Sequence, residues 1–273
     1  MVALGALLVL VAVGLFAGVF SPYAENALDL AHVNMPRGPT LAGSHFFGTD
    51  YLGRDVFSQT LYGLHTSVLV ALAVGAFATA VGVLVGAIAG YAGGVVELVL
   101  MRGVELIVAV PLLAVMLASL VFFSSLTPTR FGIVLGLYAW TGVARVVCAA
   151  CAALRGREFV EAARAAAASP LRIVVRHLLP NCSGTILVAA TSVFGLAVTA
   201  EATIDFFNVG TAQVSQGGPT LGNLISDATK FGPLSTQPWW TWAPPAAVLV
   251  LLLTCANFVG DALDDALTAP RST

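Results

Sequence analysis

The chain has 273 residues, of which 58% are hydrophobic and only 10% charged, with a formal net charge of −2. Soluble domains carry about 25% charged residues, and nucleic-acid binding draws on a basic surface, so an ordinary soluble domain and a nucleic-acid partner are both excluded. Four stretches, 56–96, 106–129, 177–200 and 231–260, lack Asp, Glu, Lys and Arg entirely. Each reaches the ~20 apolar residues that cross a bilayer as a helix. The expected class is an all-α polytopic membrane protein.

In chain order, residues 2–20 form the first apolar block. No basic n-region precedes it and no A-x-A-like site follows, so a first transmembrane helix is expected rather than a signal peptide. Residues 21–64 are rich in Pro, Gly, Asn and His and too polar for lipid, which predicts an external segment. The core domain then runs over 65–273, with further helices at 66–92, 98–123, 131–154, 182–206 and 242–261. Between them lie a polar stretch at 155–180 and a second polar loop at 207–240.

Six spans place both termini on one side, and Arg and Lys indicate which side. Arg155, Arg157, Arg164, Arg172, Arg176 and Arg271 share the face of the termini; Arg37, Arg54, Arg130 and Lys230 lie opposite. The dense group at 155–176 predicts a cytoplasmic face there, with 21–64 and 207–240 external. Trp239, Trp240 and Trp242 fit an aromatic belt where the last helix enters the outer interface. Gly82, Gly86, Gly90 and Gly94 recur every fourth residue, a small-residue face that lets a neighbouring helix approach closely. Cys148 and Cys151 form a CxxC inside an apolar helix, which favours packing over redox or metal chemistry. Glu97, Arg102 and Glu105 mark the entry of the third helix, where an Arg102–Glu105 pair is expected.

Enzymatic motifs are missing. The sequence has no G-x-x-x-x-G-K-[ST], no H-E-x-x-H and no G-x-S-x-G, and its one lysine is Lys230. His32, His45, His65 and His177 are not spaced as metal ligands. No catalytic residue, metal or cofactor is therefore expected in this chain.

The stretch 158–181, EFVEAARAAAASPLRIVVRHLLPN, is polar and helix-prone between greasy neighbours. Its alanines, glutamates and arginines predict a helix over 158–168. Ser169 reads as an N-cap and Pro170 as the first residue of a second short helix. Leu171, Val174, Val175 and Leu178 then line one apolar face, and Arg172 and Arg176 another. The alanine helix has little bulk to bury and allows close backbone approach, with Glu161 projecting from it. That suits docking into a groove on another protein; the alternative is a solvated helix held by Arg157–Glu161 and Glu161–Arg164 pairs.

The same stretch resembles the EAA motif of bacterial ABC importer permeases. It reads Glu161-Ala162-Ala163, then Ala167, then Leu178-Leu179-Pro180. HFFGTDYLGRDVFSQTLYG at 45–63, GYAGGVVELVLMRGVELIVAVP at 90–111, AEATIDFFNVG at 200–210 and GDALDDALTAP at 260–270 extend the resemblance nearly end to end. Together they resemble the C-type permease of dipeptide/oligopeptide and nickel importers. The resemblance implies a type I importer transmembrane fold in the bacterial inner membrane, paired with a second homologous permease. It also implies two ATPase subunits, or one fused ATPase, which hold ATP and Mg, and an extracytoplasmic substrate-binding protein. Glu161 is then the main anchor to the ATPase. Ala162 and Ala163 allow close approach, Ala167, Ser169 and Pro170 make the turn, and Arg164, Arg172 and Arg176 contact the cleft rim.

Ala167 stands where the family has Gly, Asp205 and Asn208 depart from the family's usual EASLSFLGLG, and the chain begins almost inside its first helix. The last feature reads as a short N-terminus or a start further upstream. Glu201 and Asp205 share a helix face and either line an outer gate or contact the external loop or the sister permease. In GTDYLGRD, Thr49 or Asp50 is a candidate helix cap and Gly48 or Gly53 a turn. Thr49, Asp50, Arg54 and Asp55 are candidate contacts for an external partner. Di- and oligopeptides are the expected cargo. Nickel, glutathione or haem, or a self-sufficient secondary transporter, are the alternatives.

Overall fold

The computed structural model describes residues 2–29, 33, 35–40, 45–123, 127–207 and 218–268. Among these the regular structure is helical, apart from one isolated antiparallel bridge between Thr49 and Asp55. Helix α1 (Val2–Leu15) has 14 residues. At 1.5 Å per residue that is about 21 Å, short of the ~30 Å hydrocarbon core. After a break at Phe16 comes α2 (Ala17–Phe20). The His65 ring bonds the Gly14 carbonyl next to that break, at 2.8 Å.

Helix α3 (Val56–Ala92) starts well before the residue 66 expected from hydropathy. Its first turns are polar but satisfied. Asp55 accepts hydrogen bonds from the backbone N–H and hydroxyl of Ser58, Gln59 donates to the Glu25 carbonyl, and Thr60 donates to the Val56 carbonyl. The cap of α3 is thus Asp55 rather than Thr49 or Asp50.

The expected third span is bent. Helix α4 (Gly94–Val108) and the Leu112–Ser119 part of α5 (Leu112–Phe123) meet at 71°. Pro111 lacks an N–H and drives its predecessor out of the helical region. The Val110 carbonyl at the break accepts a hydrogen bond from the Tyr138 hydroxyl instead.

Helix α6 (Pro128–Leu154) is followed by α7 (Glu158–Ala165), α8 (Pro170–Ile173), a π-turn at Val174–Leu178 and α9 (Leu179–Asn181). Helix α10 (Ser183–Phe206) precedes α11 (Leu221–Thr229), which forms within what the sequence presents as a polar loop, and α12 (Trp239–Thr268) ends the fold. Among the described residues α3, α6, α10 and α12 are long and apolar enough to span, and α4 with the Leu112–Ser119 part of α5 passes the same test only as a bent pair.

The chain divides into two compact units. The first comprises Met1–Leu72, Leu117–Gly132 and Leu196–Ala256. Leu64, Val68, Leu221 and Leu252 are fully buried in it. The Trp240 ring lies against Gly38 and Gly48, while Trp239 stays exposed.

The second unit comprises Ala73–Met116, Ile133–Gly195 and Asn257–Thr273. Here α3 and α6 meet backbone to backbone. A Cβ on Gly82, Gly86 or Gly90 would lie 2.5 Å from Val143 Cβ, the Ala144 carbonyl oxygen or the Cys148 carbonyl oxygen, respectively. Three of the four spaced glycines therefore form the seam. Gly94 does not: it has left-handed φ of 54° and open space around it, because the helix has already ended at Ala92.

Candidate functional site

Helix α7 begins after Arg157 and places Glu158 and Glu161 in its first turn, where the unpaired backbone N–H groups favour acidic side chains. Val160 is fully buried and fastens the helix down, whereas Glu161, Ala162 and Arg164 are exposed. Glu161 forms no ion pair with Arg157 or Arg164 among the described contacts. The guanidinium of Arg164 lies instead over the Tyr91 ring, 5.3 Å from its centroid.

The expected helix over 158–168 stops at Ala165, and the reason is local. Ala168 N–H bonds the Ala163 carbonyl and Ala167 N–H bonds the Arg164 carbonyl, at 3.1 and 2.9 Å. This is the paired 6→1 and 5→2 pattern of a Schellman motif, which needs a left-handed residue at the first position past the cap. Ala167 occupies it, with φ of 54°. Gly is the residue that adopts this conformation at least cost, which explains the family's preference at this site.

Ser169 caps α8 as its sequence position predicts, its hydroxyl accepting from Arg172 N–H, with Pro170 at the helix start. The apolar face differs from expectation. Ile173 and Leu178 are the buried pair, at 1% and 0% exposure, while Leu171 and Val175 remain 73% and 55% exposed. The π-turn is the cause: its i→i+5 geometry brings Ile173 and Leu178 to one side. Leu171 and Val175, with Arg172 and Arg176 beside them, are left facing outward.

On the other side of α7, Arg155 Nη1 is 3.4 Å from Glu97 Oε2. Its guanidinium covers Gly93 so closely that a Cβ there would lie 1.9 Å from Nη1. The Arg102–Glu105 pair forms as expected, at 2.7 Å on an exposed surface. The CxxC cysteines are buried free thiols, and Cys151 Sγ faces Cys182 Sγ at 3.9 Å. Among the described residues no group of His, Cys, Asp and Glu is arranged to hold a metal.

In the first unit, residues 45–55 are bonded inward. Thr49 is fully buried and its hydroxyl accepts from Arg37 N–H. Gly48 and Gly53 make the turns, both with φ of 77°. Arg54 donates to Asp50 at 2.6 Å and to Asp227 of α11 at 2.9 Å, and Asp227 also receives Lys230 at 2.6 Å. Burial opposes the Arg54 charge, but the two carboxylates outweigh it and raise its pKa above the ordinary value. Asp55 holds the His45 ring at 2.9 Å, and Tyr23 stacks on that ring with centroids 5.0 Å apart.

Glu201 and Asp205 are both buried, at 3% and 1% exposure. Asp205 accepts a hydrogen bond from the Thr220 hydroxyl, which in turn accepts from Asn223 N–H and caps α11. Gly222 permits this close approach, since a Cβ there would lie 2.6 Å from the Ala202 carbonyl. Among the described residues neither carboxyl oxygen of Glu201 has a donor in good hydrogen-bonding geometry, and the buried Ser67 lies close enough to interact with it. Asn208 and Arg271 lie outside the described residues.

Nothing in the local sequence pattern points to the contacts of Tyr91, His45 or Asp227. Arg54 and Asp227 are separated by 173 positions, and no local pattern links them.

Long apolar helices, a closely packed glycine seam between two of them and two short exposed helices set between long ones describe a polytopic helical membrane protein. Residues 82–269 match the family described as "Binding-protein-dependent transport system inner membrane component", and the chain belongs to that family. The oligopeptide transport system permease protein OppC of Haemophilus influenzae is 35% identical over 240 residues, covering 85% of this chain and 73% of that protein. OppC of Mycobacterium tuberculosis H37Rv is 34% identical over 254 residues, covering 90% and 81%. A solved inward-facing structure of the MetNI methionine ABC transporter shares the fold, with a TM-score of 0.62 and 21% identity over 78% of this chain and 97% of that one. The chain is a multi-pass permease subunit of an ABC importer, a class that works with an ATPase and a substrate-binding protein.

Proposed function

We propose that this chain forms half of the translocation pathway of a di- or oligopeptide importer, beside a second homologous permease, and that 155–180 is its seat on a separate ATPase. The carrying observation is the exposed α7–α8 pair. Its turn is fixed by a Schellman motif, yet Leu171 and Val175 stay outside the chain's own core, at 73% and 55% exposure. Apolar side chains flanked by Arg172 and Arg176 on an element of defined shape suit a protein groove. Glu161 stands on the same element among alanines that let a partner backbone come close.

The absence of a phosphate-binding loop from the sequence supports a division of labour in which the partner subunits hold ATP and Mg. ATP-driven closure of the ATPase pair displaces α7 and α8 and shifts the population between inward- and outward-open pathways. The arginine-rich 155–176 region and both termini then face the cytoplasm. The peptide assignment is supported by the OppC relatives at 34–35% identity, which are permeases of oligopeptide transport systems. External capture of the cargo belongs to the binding protein.

The test is affinity purification of the tagged chain with its ATPase and sister permease, followed by uptake of a labelled tripeptide in proteoliposomes supplied with the binding protein. Glu161→Arg is expected to lower ATPase retention or uptake about tenfold, the effect of ~1.4 kcal/mol at an interface. Unchanged retention and uptake would refute the coupling role. Uptake of nickel, glutathione or haem without peptide uptake would refute the cargo.

A further inference from the structure

We propose that Tyr91 is a positioning residue for energy coupling: it receives Arg164 at the end of α3, fixes the heading of α7, and passes displacement of the coupling segment into α3. This rests on the coupling role assigned above to 155–180.

The turn between α3 and α4 is gripped on two sides by arginines that bracket α7. Before α7, Arg155 lies over Gly93 and reaches Glu97 at 3.4 Å. In the last turn of α7, Arg164 lies over Tyr91 at 5.3 Å, inside the ~6 Å range of a cation–π contact. Gly93 has φ of 66°, and any side chain there would displace the Arg155 guanidinium, so the turn is shaped to receive it.

A lever fastened at one point pivots; fastened at two, it carries its load along. Helix α6 runs directly into Arg155, and α6 is seamed to α3 through Gly82, Gly86 and Gly90. Between α6 and α7 lies Gly156, with no neighbour within 4 Å of where its Cβ would be. Buried Val160 holds α7 down through one apolar side chain, which leaves its direction open. The Tyr91–Arg164 contact is the second fastening. It also gives Arg164 an inward partner, whereas Glu161, Arg172 and Arg176 stay exposed for an external one.

The experiment uses the full complex in liposomes: both permeases, the ATPase subunits and the binding protein as purified. Two quantities are read, namely ATPase subunits retained on the tagged chain and stimulation of ATP hydrolysis by the binding protein. Tyr91→Leu is expected to retain the ATPase subunits while stimulation falls about two- to fivefold, the factor one exposed cation–π contact supplies. Tyr91→Phe keeps the ring and should keep stimulation. Arg164→Gln should lower stimulation per retained ATPase by the same factor, and the double variant should lower it no further than either alone, since both break one contact. Wild-type stimulation in Tyr91→Leu, loss of the ATPase subunits from it, or multiplicative losses in the double variant each overturn the proposal. Glu161→Arg run in parallel separates the two readings. If it changes neither quantity, the coupling role itself falls. If it changes either and Tyr91→Leu changes none, only the Tyr91 role falls.

Discussion

Gly86→Ala tests the close-packed α3–α6 seam. An added methyl at Gly86 would sit 2.5 Å from the Ala144 carbonyl oxygen, 2.9 Å from Val147 Cβ and 3.0 Å from Cys148 N. Two of those three neighbours are backbone atoms and cannot rotate away. An ordinary C···O contact needs roughly 3.3–3.6 Å, so the helices must part by several tenths of an ångström, which loosens every other contact along the seam. Overpacking of this kind costs about 1–3 kcal/mol. Against it stands the gain of up to ~1 kcal/mol when Ala replaces Gly inside a helix. The net expectation is destabilisation by about 1–2 kcal/mol. Gly75 on α3 and Gly142 on α6 have nothing within 4 Å, so Ala at either should only gain. The opposed signs are read as thermal midpoints of the detergent-purified complex, followed by size-exclusion fluorescence. A Gly86→Ala midpoint equal to or above that of Gly142→Ala refutes the seam.

Two further substitutions probe the Ala167 turn and the Arg54 network. Ala167→Gly relieves a left-handed alanine and should raise the midpoint by about 0.5–1 kcal/mol of stability; a lower midpoint refutes the Schellman turn. Arg54→Gln leaves Asp50 and Asp227 facing each other without the guanidinium between them. Breaking a buried pair costs ~3–5 kcal/mol, and the remaining Lys230–Asp227 bond at 2.6 Å keeps the expected loss near the lower bound. Limited proteolysis within 45–55 is the assay, and an unchanged cleavage rate refutes the bridging role.

Hydropathy located α3, α6, α10 and α12 because lipid demands long apolar helices. The first of the six expected spans, however, is the 14-residue α1, too short to cross, and hydropathy also failed where helices leave lipid. The first turns of α3 are invisible to it, since Ser58, Gln59 and Thr60 are polar yet buried and hydrogen-bonded. Helix α11 was hidden for a related reason: its Thr220 cap is held by Asp205 of α10 and Gly222 lets it close on α10, both non-local facts. The end of α7 had the opposite difficulty. Every residue of 162–168 except Arg164 is alanine, so propensity continues the helix, and only the family's glycine at the site of Ala167 hints at a stop. Regular 3.6-residue spacing likewise put Leu171 and Val175 on the buried face, because nothing in the sequence announces a π-turn. The spacing of Gly82, Gly86 and Gly90 was legible because close helix approach requires small residues and nothing else satisfies it.

The turn at Ala167 and the contact at Tyr91 are mechanically one feature. The Schellman bond from Ala167 N–H ends on the carbonyl of Arg164, the residue whose side chain lies over Tyr91. The left-handed conformation of Ala167 therefore fixes the backbone from which Arg164 reaches. A glycine would hold that conformation at lower cost, by about 1 kcal/mol, but it would also leave the joint between α7 and α8 free to visit many others. Alanine has few alternatives once two hydrogen bonds have put it there. The replacement exchanges some stability for a stiffer joint, and stiffness is what a segment needs if displacement at Glu161 is to reach α3 rather than be absorbed in a hinge.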